Sequence, residues 1–389
     1  MIVQRIIFWL CVLAVFHTYL FYPLLLKIFS IGRTTNKIFF ENTDEFPKVS
    51  ILIAAHNEEA LISEKIESVF SGAFPTEKIE VLVGSDNSTD QTNEILKNLQ
   101  GKYERIKLIE FTSRTGKVKI INDLSKKAIH EILIITDANV IFDNSTLLEL
   151  TKHFKNPSIA LIDTNMINKG LKKEGISVQE KTYIESEVFI KNAESKIWGT
   201  MMGPFGGCYA VRKNHFFDVP ENFLVDDFYV NMKVLEKGGK CINEVNAKVY
   251  EDVSNNLADE FRRKIRIATG SFQNLFTFFH LLFKFNGLSF SFFSHKVLRW
   301  VGPLFMITAL AFIFPLIKFN ELYYWILIGG LGLVALPFLD ILLKKINIHL
   351  SFLRFATHFF TMNLALLIGL FKFIGGVKSS VWQPTKRNQ

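Results

Sequence analysis

Several polar clusters in this 389-residue chain carry groups suited to binding a metal ion and a phosphate. The most informative lies in Glu131–Asn139, where four consecutive aliphatic residues run into Asp137-Ala138-Asn139. A continuous apolar run is typical of a parallel strand covered on both faces, and ligands bind outside the carboxyl ends of such strands. Asp137 and Asn139 are two residues apart, so both side chains can reach one hard cation, for which we expect Mg²⁺ or Mn²⁺. Asp and Asn are equally at home in ordinary loops, so the neighbouring segments must decide.

The same succession of apolar strand, polar loop and helix occurs three times before Asp137. The strands and their loops are Val49–Ala55 with His56-Asn57-Glu58-Glu59, Ile79–Ser85 with Asp86-Asn87-Ser88-Thr89-Asp90, and Ile106–Phe111 with Arg114-Thr115-Gly116-Lys117. Strand–helix alternation predicts a parallel sheet with right-handed crossovers, which would bring all these loops to one edge. Acids beside a Gly-Lys turn then predict a metal–diphosphate site, although Lys117 alone fits a solvated helix end equally well.

The second half of the polar region adds three further motifs. They are the glycine-rich turn Gly203–Arg212, the acid pair in Val225-Asp226-Asp227-Phe228 and the basic run Arg262–Arg266. Adjacent carboxylates repel, which predicts a raised pKa on one of them and a role as general base. Taken alone, the pair also fits the first turn of a helix. The basic run is interpreted either as a phosphate clamp or as a face against lipid headgroups.

Apolar residues are concentrated at the two ends of the chain. They make up 49% of it, with 39 phenylalanines and a mean hydropathy of +0.22. A span needs about 20 apolar residues, and the sequence offers four candidates: Ile6–Leu26, Leu298–Ile317, Leu322–Leu343 and Phe355–Ile374. The segment Phe272–Phe293 is dense in Phe but dotted with polar residues, which predicts helices in the headgroup plane. The alternative is a buried amphipathic helix of the soluble domain.

Basic residues near the candidate spans predict their orientation. Lys27, Arg33 and Lys37 follow the first span, which predicts that the central domain lies in the cytoplasm. We expect the membrane to be a bacterial inner membrane. The basic residues around the next two spans agree. The C-terminal tail conflicts if the last segment crosses, because it carries Lys378, Lys386 and Arg387. The last segment is therefore either an exception to the rule or re-entrant.

The net charge of +8 fits a surface near anionic lipid and a phosphorylated substrate. No zinc-ligand spacing and no nucleic-acid-binding module is apparent, so nucleic acid is not expected as a partner. The three cysteines are far apart in the sequence and form no disulfide framework. The first strand ends without a Gly-x-Gly-x-x-Gly turn, which disfavours a dinucleotide-binding dehydrogenase.

In their order, these motifs resemble a membrane-anchored family 2 glycosyltransferase, similar to the cellulose, hyaluronan and poly-N-acetylglucosamine synthases. The resemblance implies an α/β fold of the GT-A type, with a Rossmann-like, mostly parallel sheet in a cytosolic domain flanked by transmembrane helices. The expected organisation is an anchor at 1–30, the GT-A domain at 45–270, an interfacial segment at 271–295, two or three membrane helices at 296–376 and a polar tail at 377–389.

The resemblance also implies roles for individual residues. Nucleotide binding is expected of Ala55, Asn57, Glu58, Asp86, Lys117 and Asp137, metal binding of Asp137 and Asn139, contact with the diphosphate or acceptor of Gly206, Gly207, Arg263 and Arg266, and base catalysis of Asp227, with Asp226 beside it. Two departures stand out. Asn139 replaces the usual second Asp of the metal motif, which makes another ligand such as Glu251 necessary or the metal weaker. Ile267 replaces the Trp that lies beside the acceptor in the polymerases.

The function implied is an inverting transferase that moves a sugar from a UDP-hexose or UDP-N-acetylhexosamine to a glycan or lipid-linked acceptor at the bilayer. A processive polysaccharide synthase with coupled export is the alternative, disfavoured by Ile267 and by the small number of spans. A non-catalytic membrane scaffold is the alternative of another class. The acids Asp86, Asp137 and Asp227 argue against it.

Overall fold

The computed structural model describes residues 1–42, 45–169, 177–252, 257–346, 348 and 350–377. The helices are α1 (Ile2–Phe16), α2 (Tyr22–Phe29), α3 (Ile62–Phe70), α4 (Thr92–Lys102), α5 (Lys117–Lys127), α6 (Thr146–Thr151), α7 (Ser177–Ile197), α8 (Asp226–Glu236), α9 (Leu257–Phe278), α10 (Gly287–Ser291), α11 (Leu298–Trp300), α12 (Gly302–Ile317), α13 (Glu321–Lys344) and α14 (Ser351–Ile374). The strands are β1 (Val49–Ala55), β2 (Ile79–Asp86), β3 (Ile106–Phe111), β4 (Ile132–Asp137), β5 (Ile141–Phe142), β6 (Ile159–Lys169), β7 (Cys208–Arg212) and β8 (Lys240–Asp252).

The strands form one mixed sheet in the order β3-β2-β1-β4-β7-β6-β8-β5. The first four are parallel, as their apolar runs predict, and β1, β2 and the first five residues of β4 are buried along their length. β7 is antiparallel to both of its neighbours, β4 and β6. Because of that reversal, the turn that leads into β7 lies at the same sheet edge as the carboxyl end of β4. The edge therefore collects both the loops of the parallel half and the glycine-rich turn.

Apolar residues from both faces of the sheet build two large clusters, one on each side. Helices α3 and α4 cover one face, with Ile62, Ile66 and Leu96 fully buried. Helix α5 covers the other face, and Ile120 packs so closely that a Cβ on Gly84 would lie 2.3 Å from its Cγ2. Burial on both faces fixes the direction and register of each strand, and so the position of the loop that follows it.

Three helices among the described residues are long and apolar enough to cross a bilayer: Ile2–Phe29, Glu321–Lys344 and Ser351–Ile374. The helical pair Gly287–Trp300 and Gly302–Ile317, bent by 62°, is a fourth candidate. Helices α1, α12 and α13 meet in a small cluster of their own, where Phe8 packs edge-on against Tyr323. These elements correspond to the apolar segments expected from the sequence.

The Phe-rich segment divides into two parts, so neither sequence interpretation holds for all of it. Up to Phe278 it is the end of α9, and Phe272 and Phe278 are buried in the core of the α/β domain. Phe278 packs against Tyr229 of α8 at 5.5 Å between ring centroids. Beyond it the chain forms a 3₁₀ turn, Phe279–Lys284, in which Phe279 and Phe283 are more than half exposed. This second part has exposed apolar surface of the kind expected of an interfacial element, and in the last turn of α9 Phe276 is exposed as well.

Helix α14 packs along the α/β domain. Near its start, the His358 ring lies 3.3 Å from Glu180 of α7. Near its end, Phe373 stacks on Phe272 of α9. Between them the two backbones come close, because a Cβ on Gly369 would lie 2.5 Å from the Cβ of Ala268. His358 and Phe373 are fifteen positions apart, which is about 22 Å of helix, and both contact the domain.

A buried ionic cluster joins α7 to the helical segment that precedes α12. Glu187 of α7 forms ion pairs with Arg299 and Lys296, and its side chain is only 14% exposed. Burial alone would raise the pKa of Glu187, but Arg299, Lys296 and His295 hold it well below its ordinary value. Two turns further along α7, Glu194 accepts a 2.8 Å hydrogen bond from the hydroxyl of Tyr22 in α2. Helix α2 and the segment before α12 are thus both attached to α7 by buried polar contacts.

Candidate active site

Asp137 ends β4 at the centre of the sheet edge, where it forms an ion pair with Lys117. The Nζ atom of Lys117 donates hydrogen bonds of 2.6 Å to Asp137 Oδ1 and 3.0 Å to the carbonyl of Gly206. Burial alone would lower the pKa of Lys117, but Asp137, Asp226 and Asp227 outweigh it and raise the pKa above its ordinary value. Lys117 is the first residue of α5 and follows Gly116, whose φ of 88° is in the region that favours glycine. A fixed ammonium group thus lies among three carboxylates.

The glycine-rich turn is held against the end of β4 by backbone hydrogen bonds. The carbonyl of Gly207 accepts bonds from the Asp137 N–H at 2.9 Å and from the hydroxyl of Thr136 at 3.0 Å. Gly206 approaches the acid pair so closely that a Cβ would lie 3.1 Å from the carboxyl carbon of Asp227. A second support is Asp163, fully buried, which accepts a 2.6 Å bond from the N–H of Phe205. The predicted turn, Asp137 and Asp227 therefore belong to one site.

Asp226 and Asp227 begin α8 and are partly buried. Burial, and then the neighbouring charge of Asp226, raise the pKa of Asp227 to about 7, while Lys117 opposes the shift. The adjacency of two acids predicts this direction from sequence, and the structure adds burial as the larger cause. A carboxyl group with a pKa near neutrality is suited to accept a proton in the physiological range.

Asn139 and Glu251 lie side by side next to Asp137. The amide nitrogen of Asn139 donates a 3.0 Å hydrogen bond to Glu251 Oε1 at the end of β8. The site thus offers two carboxylates and one amide, all hard oxygen donors of the kind that Mg²⁺ and Mn²⁺ prefer. Among the described residues, no group of three or more His, Cys, Asp or Glu side chains is arranged to hold a metal ion. The donor set fits an ion that completes its coordination with substrate phosphates.

Asp86, expected to bind the nucleotide, is the last residue of β2. Its carboxylate is fully buried against the loop before α5. It accepts hydrogen bonds from the N–H groups of Thr115 at 2.6 Å and Gly116 at 3.2 Å, and it pairs with Arg114 at 3.1 Å. These contacts fix the loop that delivers Lys117. The role of Asp86 in nucleotide binding stays a prediction.

The remaining residues expected at the nucleotide lie at the ends of β1 and β2. Ala55 is fully buried, whereas Asn57 is exposed and adopts a φ of 54°. The amide oxygen of Asn57 accepts a 2.8 Å bond from the N–H of Thr89, and the N–H of Glu58 donates to Thr92 Oγ1. The β1 and β2 loops are therefore tied together beside Asp86, as a nucleotide site across both would require.

The two arginines of the basic run have different surroundings. Arg263 makes a bidentate pair with Glu260, at 2.9 Å from Nε and 2.8 Å from a terminal nitrogen. A phosphate would have to compete with Glu260 for this guanidinium group. Arg266, one turn further along α9, is exposed and lies within electrostatic reach of Asp226, Asp137 and Asp227. Of the two, Arg266 has the surroundings expected of a residue that binds the diphosphate.

Lys65 is a supporting residue that sequence reasoning missed. It is fully buried under the Asp137 loop, where its Nζ donates to Thr136 Oγ1 at 2.9 Å and to the carbonyl of Val140 at 2.5 Å. Burial lowers its pKa to about 7. The available signal was helical spacing, since Lys65 lies on the same face of α3 as the buried Ile62, Ile66 and Val69.

Comparison with known proteins agrees with this geometry. Residues 50–218, which include β1 to β4, the metal motif and the glycine-rich turn, match the family model described as Glycosyl transferase family 2. The chain contains a family 2 glycosyltransferase domain. The resemblance inferred from the motifs is thereby confirmed. The match ends before α8, so it does not cover Asp226 and Asp227.

A solved structure similar to the whole chain is a mannosyltransferase from Pyrobaculum calidifontis in complex with GDP-Man and Mn²⁺. It has a TM-score of 0.72 at 20% identity, over 95% of this chain and 99% of that one. At that identity the likeness establishes the fold, which is GT-A as expected. The glycosyltransferase domain and the helices around it therefore have one common arrangement in the two proteins.

Two curated relatives are similar over shorter stretches. A poly-β-1,6-N-acetyl-D-glucosamine synthase of Staphylococcus aureus (strain COL) is 22% identical over 276 residues, which are 67% of this chain and 66% of that protein. A β-monoglucosyldiacylglycerol synthase of Synechocystis sp. (strain ATCC 27184 / PCC 6803 / Kazusa) is 26% identical over 138 residues, or 35% of this chain and 28% of that protein. The chain spans about a quarter of the length of the first curated relatives that it matches.

Proposed function

We propose that this chain is an inverting glycosyltransferase that moves a sugar from a nucleotide-sugar to a hydroxyl group of a membrane-associated glycan or lipid-linked acceptor. The observation that carries the proposal is the placement of Asp227, with its raised pKa, across from Asp137 and Lys117 and against the backbone of Gly206. One side of the site is suited to a diphosphate and the other to an acceptor hydroxyl. The family 2 match and the relatives that make glycans or glycolipids support the same reaction class.

The reaction is a direct displacement at the anomeric carbon. Asp227 takes the proton of the acceptor hydroxyl, whose oxygen forms the new bond as the bond to the diphosphate breaks. Lys117 and Arg266 offset the charge that develops on the leaving diphosphate. A single displacement inverts the anomeric carbon, so an α-linked donor gives a β-linked product. No protein nucleophile is required.

Asp137, Asn139 and Glu251 are the residues proposed to hold a divalent cation. When bound, Mg²⁺ or Mn²⁺ would supply Lewis-acid stabilisation of the leaving diphosphate. Lys117 already contacts Asp137, and its three hydrogen-bond donors let it turn between that carboxylate and a phosphate oxygen. The donor proposed is a UDP-hexose or UDP-N-acetylhexosamine. GDP-mannose is the comparison to include, since the mannosyltransferase of the same fold binds it.

We propose further that the catalytic domain faces the cytoplasm of a bacterial inner membrane and that three segments cross: α1 with α2, α12 and α13. Helix α14 then stays on the cytoplasmic side, because His358 and Phe373, which are about 22 Å apart along it, both contact the catalytic domain. A crossing helix must pass through about 30 Å of hydrocarbon core. Two parts of it about 22 Å apart would then not both contact a domain that lies on one side of the membrane. The basic residues Lys378, Lys386 and Arg387, on which the conflict in the charge rule depends, lie outside the described residues.

The experiment that tests the reaction is incubation of the purified chain in detergent with single nucleotide-sugars and Mn²⁺ or Mg²⁺. Release of one nucleoside diphosphate identifies the donor, and mass spectrometry of the products separates single addition from polymer. Asp137→Ala should weaken nucleoside diphosphate binding and remove its dependence on the cation, as calorimetry would show. Exposed Asp218, which pairs with Lys126, provides the matched control Asp218→Ala. Binding that is unaffected by chelator in the wild-type chain would refute the metal site.

A further inference from the structure

A cavity of about 280 Å³ lies between α9 and the end of α14. It is lined by Leu224, Arg262, Arg266, Thr269, Lys372, Gly376 and Val377. Three of these described lining residues are cationic and none is acidic. All three cations are exposed. Such a lining is suited to an anionic group, and arginine in particular to the planar, forked contacts that phosphate oxygens accept.

The cavity is rigidly connected to the base. Leu224, which lines it, is two residues before Asp226, and α9 holds this segment by two side chains. Gln273 Oε1 accepts a 3.1 Å bond from the N–H of Leu224, and Asn274 Nδ2 donates a 3.1 Å bond to the carbonyl of Val225. A Cβ on Gly270 would lie 2.5 Å from Val225, which shows how closely α9 and this segment pack. An anion in the cavity would therefore be held at a fixed distance from Asp227.

The far wall of the cavity comes from α14, and it has an apolar border. The close packing of Gly369 against Ala268 brings Lys372 over the cationic turn of α9. On either side of Lys372, Phe371 is 64% exposed and Ile374 is 69% exposed. Phe276 of α9, beside Phe373, is 78% exposed. Cations next to exposed apolar side chains match a ligand with an anionic head and an apolar tail.

We propose that this cavity binds the phosphate of a membrane lipid whose headgroup also carries a free hydroxyl, and presents that hydroxyl to Asp227 as the acceptor. The inference rests on the proposed glycosyltransferase function. A hydroxyl acceptor needs a base, which Asp227 supplies, whereas a phosphate oxygen acting as the nucleophile would not need one. In the transfer, the sugar leaves the diphosphate for the headgroup oxygen, the diphosphate keeps the bonding electron pair and Asp227 takes the proton. Arg262 and Lys372 remain on the lipid phosphate throughout.

Lipid binding is tested without any donor, so that its outcome is independent of the proposed reaction. The full-length chain in a non-ionic detergent is titrated with short-chain phosphatidylglycerol, with phosphatidylcholine and diacylglycerol of the same chain length, and with glycerol 3-phosphate. We expect saturable binding of phosphatidylglycerol, with much weaker binding of the other three. Arg262→Ala and Lys372→Ala should each weaken binding by about tenfold, the effect of losing one hydrogen bond to a charged group. Lys97→Ala, which removes an exposed cation at the opposite end of the sheet, should leave binding unchanged.

Several results would overturn the proposal. Equal weakening by Lys97→Ala would show general charge attraction in place of a site, and unchanged binding in both cavity variants would exclude the cavity. Binding of glycerol 3-phosphate as tight as that of the lipid would show a site for soluble phosphate esters. With the donor added, a product with the mass of a glycosylated phosphatidylglycerol supports the acceptor role, and nucleotide release with no such product overturns it. If no donor is turned over at all, the proposed function fails, whereas the binding result stands.

Discussion

The pH dependence of transfer should report on Asp227 and on the two charges that act on it. Its pKa of about 7 results from burial and from Asp226, with Lys117 acting in the opposite direction. Only the ionised carboxylate accepts a proton. The value of kcat/KM should therefore rise with pH up to about 7 and then level off, because about a tenth of the base is ionised one unit below its pKa.

Two substitutions should move this limb in opposite directions. Asp226→Asn removes the like charge, so the pKa of Asp227 falls and the limb moves to lower pH. Lys117→Met removes the favourable charge, so the limb moves to higher pH. A single neighbouring charge shifts a pKa by about one to three units, so each displacement should be on the order of one pH unit. The midpoint is read from normalised profiles at saturating cation, since both variants also lower the plateau.

Asp227→Asn is the reference variant. It should lose about 10²- to 10⁴-fold in transfer while it still binds nucleoside diphosphate, because the carboxylate acts on the acceptor. Folding raises the pKa of this carboxyl from an ordinary 3.8, so its ionised form destabilises the fold increasingly as pH rises from about 4 to about 7. Asp227→Asn should therefore unfold at a higher temperature than wild type at pH 8. A limb that survives in Asp227→Asn, or that moves the same way in the other two variants, would refute the assignment.

Three further predictions concern the metal, the anchor and the membrane. Asn139→Asp places a second carboxylate beside Glu251, which is 3.0 Å from Asn139 in the present contact. The variant should therefore melt at a lower temperature than wild type without cation, and Mn²⁺ should raise its melting temperature by more than that of wild type. Equal Mn²⁺-induced shifts in the two proteins would mean that residues 139 and 251 share no ion. Glu187→Gln removes the partner of Arg299 in a buried cluster, so it should lower the free energy of unfolding in detergent by about 3–5 kcal/mol. Glu110→Gln, in an exposed pair, should lower it by less than about 1 kcal/mol. Similar losses in the two variants would contradict the burial of the cluster. Phe283→Ser should reduce transfer to a membrane acceptor while it preserves donor binding. Phe278→Ser should instead destabilise the domain by about 3–5 kcal/mol. The same losses of stability and donor binding in both variants would place both residues in the core.

The sequence predicts the parallel half of the sheet and its loops because both follow from local patterns. β1, β2 and β3 begin where their apolar runs begin, and Lys117 is the first residue of α5 as expected. Once these strands are parallel, their loops must meet at one edge, so the contact between Lys117 and Asp137 needs no further information. Asp226 and Asp227 likewise begin a helix, as the motif predicts.

Features that depend on contacts distant in sequence were not predictable in the same way. The insertion of β7 between β4 and β6 is a non-local pairing that its apolar pattern does not specify. Phe278 and Phe279 are adjacent aromatic residues, yet one is buried by Tyr229 and the other exposed, because burial depends on the facing helix. Helix α14 has the composition of a span, and that composition does not specify its contacts with α7 and α9.

The ionic cluster around Glu187 bears on how far an acceptor must reach. Tyr22 attaches the N-terminal helical segment to α7, and Arg299 attaches α11 to the same helix. In the arrangement proposed above, these two contacts would set the distance between Asp227 and the bilayer surface. That distance would select acceptors by how far their hydroxyl group extends from the lipid, in addition to their chemistry.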